Sequence, residues 1–170
     1  RSTPKPSSAA SDVYKRQLLM PIQTSLEEYI FRGYLMQGFY SFFNSRWGTL
    51  LTTSIVFGSL HFSNPEVQKL GIGVMAYYVG TGLFLGILTL MDEGIELALG
   101  FHAANNIMTA LFVTSSWTVF QTESILIDIS EPTLGGEVFF SLFILYPGFI
   151  FFMSRKFDWS GWKSKLISKL

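Results

Sequence analysis

The chain has 170 residues, of which 49% are hydrophobic and only 14% are charged, and it contains no cysteine. An average soluble domain carries about 25% charged residues, so this composition favours an integral membrane protein. The absence of cysteine excludes disulfides, thiolate zinc sites and cysteine nucleophiles. The formal net charge is zero, and the basic residues gather at the two ends of the chain, so nucleic acid is not an expected partner.

The N-terminal segment, residues 1–17, is rich in Ser, Pro and Lys and has no apolar periodicity, which is typical of disorder. It does not resemble a signal peptide, because no apolar region precedes a small-residue cleavage site. Residues 12–17, Asp-Val-Tyr-Lys-Arg-Gln, look like the translation of a sequencing adaptor. We therefore expect residues 1–17 to be a cloning or assembly scar, in which case earlier membrane helices of the natural protein are missing from this chain.

Five apolar segments follow, each comparable to the roughly 20 residues that a membrane-spanning helix needs. They are residues 18–43, 47–62, 70–91, 95–113 and 138–153, and polar turns separate the first four. Residues 114–135 form a polar loop before the fifth segment. The sequence predicts an all-α, polytopic membrane helix bundle with about five transmembrane helices over residues 18–153. Gly82-x-x-x-Gly86 should allow close helix approach, and Pro147-Gly148 should kink the fifth helix.

The C-terminal tail, residues 154–170, is basic and interleaves aromatic and aliphatic residues with lysines. It suits a short interfacial helix on anionic lipid, and a frayed, solvated tail is the alternative. Basic residues next to a membrane segment predict a cytoplasmic C-terminus. Alternating spans then place the turns at Arg46 and at Asp92–Glu93 on that same side. We expect a multi-pass protein of the plasma (inner) membrane.

Three charged residues interrupt the first apolar segment: Glu27, Glu28 and Arg32. A charge near the bilayer centre costs roughly 2.5–3.5 kcal/mol on insertion scales. On a helix, Glu28 and Arg32 are i,i+4 neighbours and can pair, whereas Glu27 is rotated by about 100° from Glu28. One carboxylate is therefore predicted to be structural and the other free for chemistry. The alternative is an ion-pair cluster that only fixes helix packing.

Both histidines of the chain fall within apolar segments. Phe57 and His61 share one helix face, and His102 and Asn106 share another, because each pair is spaced i,i+4. A buried histidine in a soluble core is more often a packing residue, but ionisable groups inside a membrane usually face a cavity or a partner. Together with Glu27 these residues could activate a water and hold an oxyanion.

The three patterns, in this order, resemble the motifs of the CPBP family, the CAAX-prenyl-protease-like and bacteriocin-processing intramembrane proteases that are also called the Abi family. The motif E-E-x-x-x-R matches residues 27–32, F-x-x-x-H matches residues 57–61, and H-x-x-x-N matches residues 102–106. Each motif alone is weak, but three in order on separate apolar segments make a specific signal. The resemblance covers residues 18–153.

The resemblance implies a hydrolase that cleaves a peptide bond. Glu27 would be the general base that activates the attacking water, and His61 would help to position it. His102 and Asn106 would orient the water or stabilise the oxyanion. Two mechanisms remain open: glutamate and histidines act on water directly, or zinc is bound by Glu27, His61 and His102, since a catalytic zinc usually has three protein ligands.

Three residues would support the catalytic ones. Glu28 and Arg32 would hold the site, with Arg32 also available to the carboxylate end of a substrate, and Phe57 would pack beside His61. The expected substrate is a peptide or protein, either membrane-associated or lipidated. Two other classes of function compete with the protease: a non-catalytic membrane immunity or scaffold protein, and a transporter or proton relay, which also uses buried Glu and His.

Overall fold

The computed structural model describes residues 19–115, 117–119, 124–129 and 131–168; the predicted scar, residues 1–17, lies outside them. Helices dominate the described residues. They are α1 (residues 19–43), α2 (Arg46–Ser59), α3 (Pro65–Leu70), α4 (Met75–Asp92), α5 (Glu96–Phe112), α6 (Gly136–Lys156) and α7 (Trp162–Ile167). The five predicted apolar segments thus correspond to α1, α2, α4, α5 and α6.

Turn residues set the helix boundaries. Asn44, with φ of 50°, ends α1 in the left-handed conformation that Asn tolerates. Ser45 then caps α2, because its Oγ accepts a hydrogen bond from the amide of Gly48 at 3.2 Å. Pro65 occupies the first turn of α3, where its missing N–H is not needed.

Two helices contain π-helical stretches. In α1 the stretch is Tyr29–Leu35, directly after the two glutamates, and π-bulges are frequent at functional sites. In α6 it is Ser141–Leu145, just before Pro147. Because proline cannot donate to the preceding turn, the wider hydrogen-bonding pattern accommodates it. The structure thus shows a change of helix type in the turn before Pro147, and the kink predicted there stays a prediction.

α2 and α4 pack closely along each other. A Cβ built on Gly82 would lie 3.0 Å from the backbone Cα and O of Ser54, and a Cβ on Gly86 would meet the side chain of Leu50. Only glycine allows this approach, so the contact predicted for the Gly82-x-x-x-Gly86 pattern is present. It brings the middle of α4 against the helix that leads to His61.

α4 is the central helix, and α6 lies at the edge. The main core cluster joins Phe84, Leu85 and Leu88 of α4 to Ala98 of α5 and Tyr146 of α6. In the most apolar window of each helix, 44% of the α4 residues are buried, against 11% of the α6 residues. The exposed aromatic and aliphatic side chains of α6 are what a helix in contact with lipid requires.

Among the described residues, two helical segments are long and apolar enough to cross a membrane: Ile72–Asp92, which contains α4, and Gly136–Lys156. Five spans are therefore not confirmed. The 14 residues of α2 extend for about 21 Å, less than the hydrocarbon thickness of about 30 Å, and α1 carries three charged residues. Sequence hydropathy does not distinguish such short or charged helices, buried against neighbours, from complete spans.

The predicted polar loop, residues 114–135, contains structure that the sequence did not predict. The strand β1 (Val113–Ser115) continues from the end of α5 and pairs in parallel with β2 (Leu126–Asp128). Val113 and Thr114, which directly follow α5, are β-branched and so favour the extended conformation. The two strands cover only three residue pairs.

The described part of the C-terminal tail is folded against the bundle rather than frayed. The Trp159 indole donates to Asp92 Oδ1 at 3.2 Å. Lys165 Nζ lies 3.0 Å from the carbonyl of Met91 and 3.0 Å from the carboxylate of Glu93. Lysine near the last carbonyls of a helix satisfies acceptors that have no helical partner. The tail thus caps the end of α4.

The same tail contacts the start of α2, where the Arg46 amide donates to the carbonyl of Ser168 at 3.3 Å. The turn before α2, the turn after α4 and the C-terminal tail therefore lie at one end of the bundle. That agrees with the prediction that these three parts of the chain share one side.

Candidate active site

Glu28 is the buried centre of the site. Its side chain has no exposed surface, and its Oε1 accepts from Arg32 Nη1 at 3.0 Å and from His102 Nδ1 at 2.7 Å. The predicted i,i+4 pair with Arg32 is therefore present. The bond to His102 joins α1 to α5 across 74 residues of sequence. Glu28 Oε2 is buried and has no hydrogen-bond partner among the described residues.

Arg32 ties this carboxylate to α4 and α2. Its Nη2 donates to the backbone carbonyl of Gly82 at 3.0 Å, and its guanidinium carbon lies 4.5 Å from the centre of the Phe57 ring. A planar guanidinium can make an ion pair, a second hydrogen bond and an aromatic contact at once, which a lysine cannot do. Arg32 is therefore held by three contacts, and through one of them it fixes Glu28.

Glu27 differs from its neighbour in exposure and in partners. Its side chain is 25% exposed, and its Oε1 accepts a hydrogen bond from Gln23 Nε2 at 3.0 Å. Its Oε2 lies 3.8 Å from His102 Nε2. His102 thus contacts one glutamate through each ring nitrogen, directly to Glu28 and across a gap to Glu27.

His61 stands just beyond the end of α2. Its Nδ1 lies 3.0 Å from the carbonyl of Phe57, and its ring centroid is 5.0 Å from that of Phe57. The Phe57 ring is also 6.0 Å from the His102 ring. Phe57 therefore packs beside His61, as predicted, and connects the two histidines. The hydrogen bonds of the described residues include none between His61 and the glutamates or His102.

Asn106 lies one turn beyond His102 on α5. Its Oδ1 accepts from Asn105 Nδ2 at 3.2 Å. The structure places Asn106 on the helix face predicted from its spacing, and its amide is held by its neighbour Asn105 rather than by His102.

The three predicted zinc ligands are not gathered at one position. Within the part of the chain that the structure describes, no three His, Asp or Glu side chains converge, and of the predicted ligands only Glu27 and His102 approach each other. His61 and His102 each use Nδ1 for a protein contact, as metal-bound histidines also do with the nitrogen that does not bind the metal. Zinc binding by Glu27, His61 and His102 therefore stays a prediction.

A cavity of about 370 Å³ lies next to this site, between α1, α2 and the end of α4. Arg32 contributes to its wall, together with Tyr40, Arg46, Thr49 and Glu93. Glu27, His61 and His102 do not line it. The cavity therefore reaches the residues that support the site from the end of the bundle where the C-terminal tail packs.

Sequence analysis missed several contributors to the site. Gln23 could have been found from its i,i+4 spacing to Glu27. The carbonyl of Gly82 carries no side-chain signal, and Tyr78 was not expected, although its ring stacks on His61 with centroids 4.4 Å apart.

Comparisons with known proteins agree with the CPBP resemblance. The family model described as type II CAAX prenyl endopeptidase Rce1-like matches residues 13–108, more than half of the chain. The chain is 34% identical over 125 residues to the uncharacterized protein YyaK of Bacillus subtilis (strain 168), an alignment that covers 74% of this chain. The chain spans about two fifths of the length of that relative, 42%. No solved structure gives a significant match.

The chain belongs to the Rce1-like type II CAAX prenyl endopeptidase family. This is a family of membrane-embedded proteases, which agrees with the helical bundle and its two apolar segments of spanning length.

Proposed function

We propose that this member of the Rce1-like family is an intramembrane endopeptidase in which Glu27 and His102 together activate a water for attack on a peptide carbonyl. The observation that carries the proposal is the separation of 3.8 Å between Glu27 Oε2 and His102 Nε2. This distance is too long for a direct hydrogen bond. It suits a single water that donates to both atoms.

Glu28 supports this role because it determines which nitrogen of His102 carries a proton. An ionised carboxylate only accepts hydrogen bonds, so the Nδ1 that lies 2.7 Å from Glu28 is the donor. In the neutral ring, Nε2 then keeps its lone pair on the side of Glu27. Catalytic triads use the same arrangement, in which a buried carboxylate accepts a hydrogen bond from one nitrogen of the histidine and the other nitrogen takes part in the reaction.

In the proposed reaction, Glu27 takes a proton from the water while the water oxygen forms a bond to the carbonyl carbon. The carbonyl π electrons move to the oxygen and give a tetrahedral oxyanion. When the C=O bond re-forms, the C–N bond breaks and Glu27 returns the proton to the leaving amine. One water is consumed and the carboxylate is regenerated.

The contacts of Asn106 and His61 suggest different tasks for them. Because Asn105 donates to Asn106 Oδ1, the Asn106 NH₂ group remains a donor suited to the oxyanion. His61 Nδ1 faces a backbone carbonyl, which only accepts, so the neutral ring offers Nε2 as an acceptor. Glu27 and His102 use both protons of the bridging water, so His61 suits an N–H donor of the peptide substrate and does not suit the oxyanion.

The proposed substrate is a membrane-associated or lipidated peptide or protein, and the proposed location is the plasma (inner) membrane with a cytoplasmic C-terminus. Arg46 and Lys165 lie at the end of the bundle where the turns and the tail meet. A basic membrane end is typically cytoplasmic. The cavity lined by Arg32 and Arg46 reaches towards this end, which suits the carboxylate end of a substrate rather than its scissile bond.

The test is cleavage of quenched fluorescent peptides, plain and S-prenylated, by the purified protein in detergent. Glu27→Ala should lower kcat by roughly 10²–10⁴-fold, the contribution of a general base, while the protein still inserts and purifies normally. Glu137→Ala is the matched control, because Glu137 is an exposed carboxylate at the start of α6. Each protein is assayed with and without a chelator.

Equal cleavage by wild type and Glu27→Ala would overturn the role of Glu27. Cleavage that a chelator abolishes and zinc restores would replace the direct mechanism with a metal-bound water. A wild-type protein that cleaves neither peptide class would favour the non-catalytic membrane factor.

A further inference from the structure

His61 needs support from outside its own helix. It follows the last turn of α2, in the turn formed by residues 60–64, and its amide donates to the carbonyl of Gly58 at 3.0 Å. The 3.0 Å contact with the carbonyl of Phe57 fixes one ring nitrogen. The plane of the imidazole, which sets the direction of the other nitrogen, depends on what lies against the faces of the ring.

Tyr78 of α4 packs against one face of the imidazole. Its ring stacks on the His61 ring with centroids 4.4 Å apart and an angle of 19° between the planes. The Phe57 ring contacts the imidazole at a tilt of 47°, so Tyr78 makes the nearly parallel contact. Flat rings packed at this distance resist rotation about the side-chain bonds, since rotation brings atoms into contact.

Asn64 fixes Tyr78 in turn. Its Nδ2 donates to the Tyr78 hydroxyl at 3.2 Å, and its backbone amide donates to the carbonyl of His61 at 2.9 Å. The turn that carries His61 therefore also carries the group that holds the stacking ring. The contacts form a closed loop from His61 to Tyr78, to Asn64 and back to His61.

We infer that Tyr78, anchored by Asn64, is a positioning residue that sets the orientation of the His61 imidazole. Its importance for the reaction rests on the proposed function, in which the Nε2 of His61 accepts a hydrogen bond from the substrate. The orientation itself depends only on the contacts of the three side chains. Tyr78 acts through His61 and has no chemical step of its own.

The first test measures the hydrogen bonding of the His61 ring without any assay of activity. The chain contains two histidines, so ¹⁵N-histidine labelling, with an affinity tag free of histidine, gives one Nδ1 and one Nε2 signal for each histidine in detergent micelles. In a fixed ring, Nδ1 of His61 faces the Phe57 carbonyl and carries the proton. Tyr78→Leu frees the ring, so the two ¹⁵N signals of His61 should move towards each other while those of His102 stay in place. Tyr34→Leu is the matched control, because the Tyr34 ring is exposed on α1, and it should leave all four signals unchanged.

The second test separates positioning from binding. Tyr78→Leu should lower kcat roughly 10- to 100-fold, the effect of a misplaced catalytic group, with KM changed by less than roughly twofold. Tyr78→Phe keeps the stacked ring and should restore kcat to within about fivefold of wild type, since it loses one hydrogen bond. Tyr34→Leu, at an exposed position of α1, should keep kcat within about twofold of wild type.

Asn64→Ala provides a milder variant if Tyr78→Leu does not fold. It removes only the 3.2 Å bond to Tyr78 and should move the two ¹⁵N signals of His61 towards each other by a smaller amount. A His61 signal that neither variant moves would overturn the inference. A signal that moves while kcat stays at the wild-type value would overturn the positioning role. If the protein cleaves no peptide, the proposed function fails and the NMR comparison still decides whether Tyr78 orients His61.

Discussion

Two adjacent carboxylates on α1 occupy opposite environments. Glu28 is fully buried and accepts hydrogen bonds from Arg32 and His102, whereas Glu27 is 25% exposed and accepts one from Gln23. The rotation of about 100° between neighbouring helix positions is enough to separate them. A buried charge must be paired to persist, and a base must have a free oxygen near its proton donor. Glu28 thus meets the first requirement, and Glu27 meets the second.

His102 joins the two environments, because its Nδ1 contacts Glu28 and its Nε2 faces Glu27. The 2.7 Å contact with Glu28 orients the ring, and the 3.8 Å gap to Glu27 leaves space for a small molecule. Changes on the Glu28 side should therefore alter the stability of the fold and also disturb the site. Changes on the Glu27 side should alter catalysis alone.

The largest expected effect comes from removing the charge of Glu28. Glu28→Gln leaves Arg32 buried without its counter-charge, which typically costs about 3–5 kcal/mol. Glu27→Gln is the matched control, because this side chain is partly exposed and makes no ion pair with a lysine or arginine among the described residues, and it should cost less than about 1 kcal/mol. The measurement is unfolding by SDS titration from detergent micelles, followed by tryptophan fluorescence.

Both variants should lose peptidase activity, so stability is the property that separates them. Equal loss of stability in the two variants would contradict the division between a structural and a reactive carboxylate. A Glu28→Gln protein as stable as wild type would show that Arg32 is adequately held by the carbonyl of Gly82 and by Phe57.

A smaller loss is expected where Arg32 meets α4. Gly82→Ala places a Cβ 3.0 Å from the Ser54 backbone, and overpacking of this kind costs about 1–3 kcal/mol. It should also shift the carbonyl that accepts from Arg32. Gly100→Ala on α5 is the matched control, since a Cβ at this position would meet no neighbouring side chain or helix within 4 Å, and alanine there should stabilise by about 0.5–1 kcal/mol. Opposite signs in the same unfolding assay are the expected result.

The contacts of the site divide into those that spacing predicts and those that it cannot. The Glu28–Arg32 pair and the packing of Phe57 beside His61 follow from i,i+4 spacing on one helix. The bond between Glu28 and His102 joins two helices, and nothing in the local pattern determines which glutamate meets the histidine. Whether Glu27, His61 and His102 converge on one metal also depends on contacts between helices, and metal binding stays a prediction.

The fold divides in a similar way. The positions of α1, α2, α4, α5 and α6 follow from apolar segments and the polar turns between them. Among the described residues, only two segments have the length and composition of a membrane span. Hydropathy alone did not predict this number, because a short helix that packs against its neighbours is as apolar as a helix that crosses the membrane. The docked tail and the paired strands depend on long-range contacts that carry no periodic signal.

The smallest expected effect comes from Gln23, and it tests whether a neighbour on the same helix positions the Glu27 carboxylate. Gln23 is one turn before Glu27, and its 3.0 Å hydrogen bond to Oε1 leaves Oε2 on the side of His102. Gln23→Ala should lower kcat by roughly two- to fivefold, the equivalent of about 0.5–1 kcal/mol for one hydrogen bond near the surface. It should leave unfolding unchanged, because the bond is exposed. A loss of stability comparable to that of Glu28→Gln would mean that Glu27 belongs to the structural network, and a loss of activity without a loss of stability would place Gln23 with the reactive carboxylate.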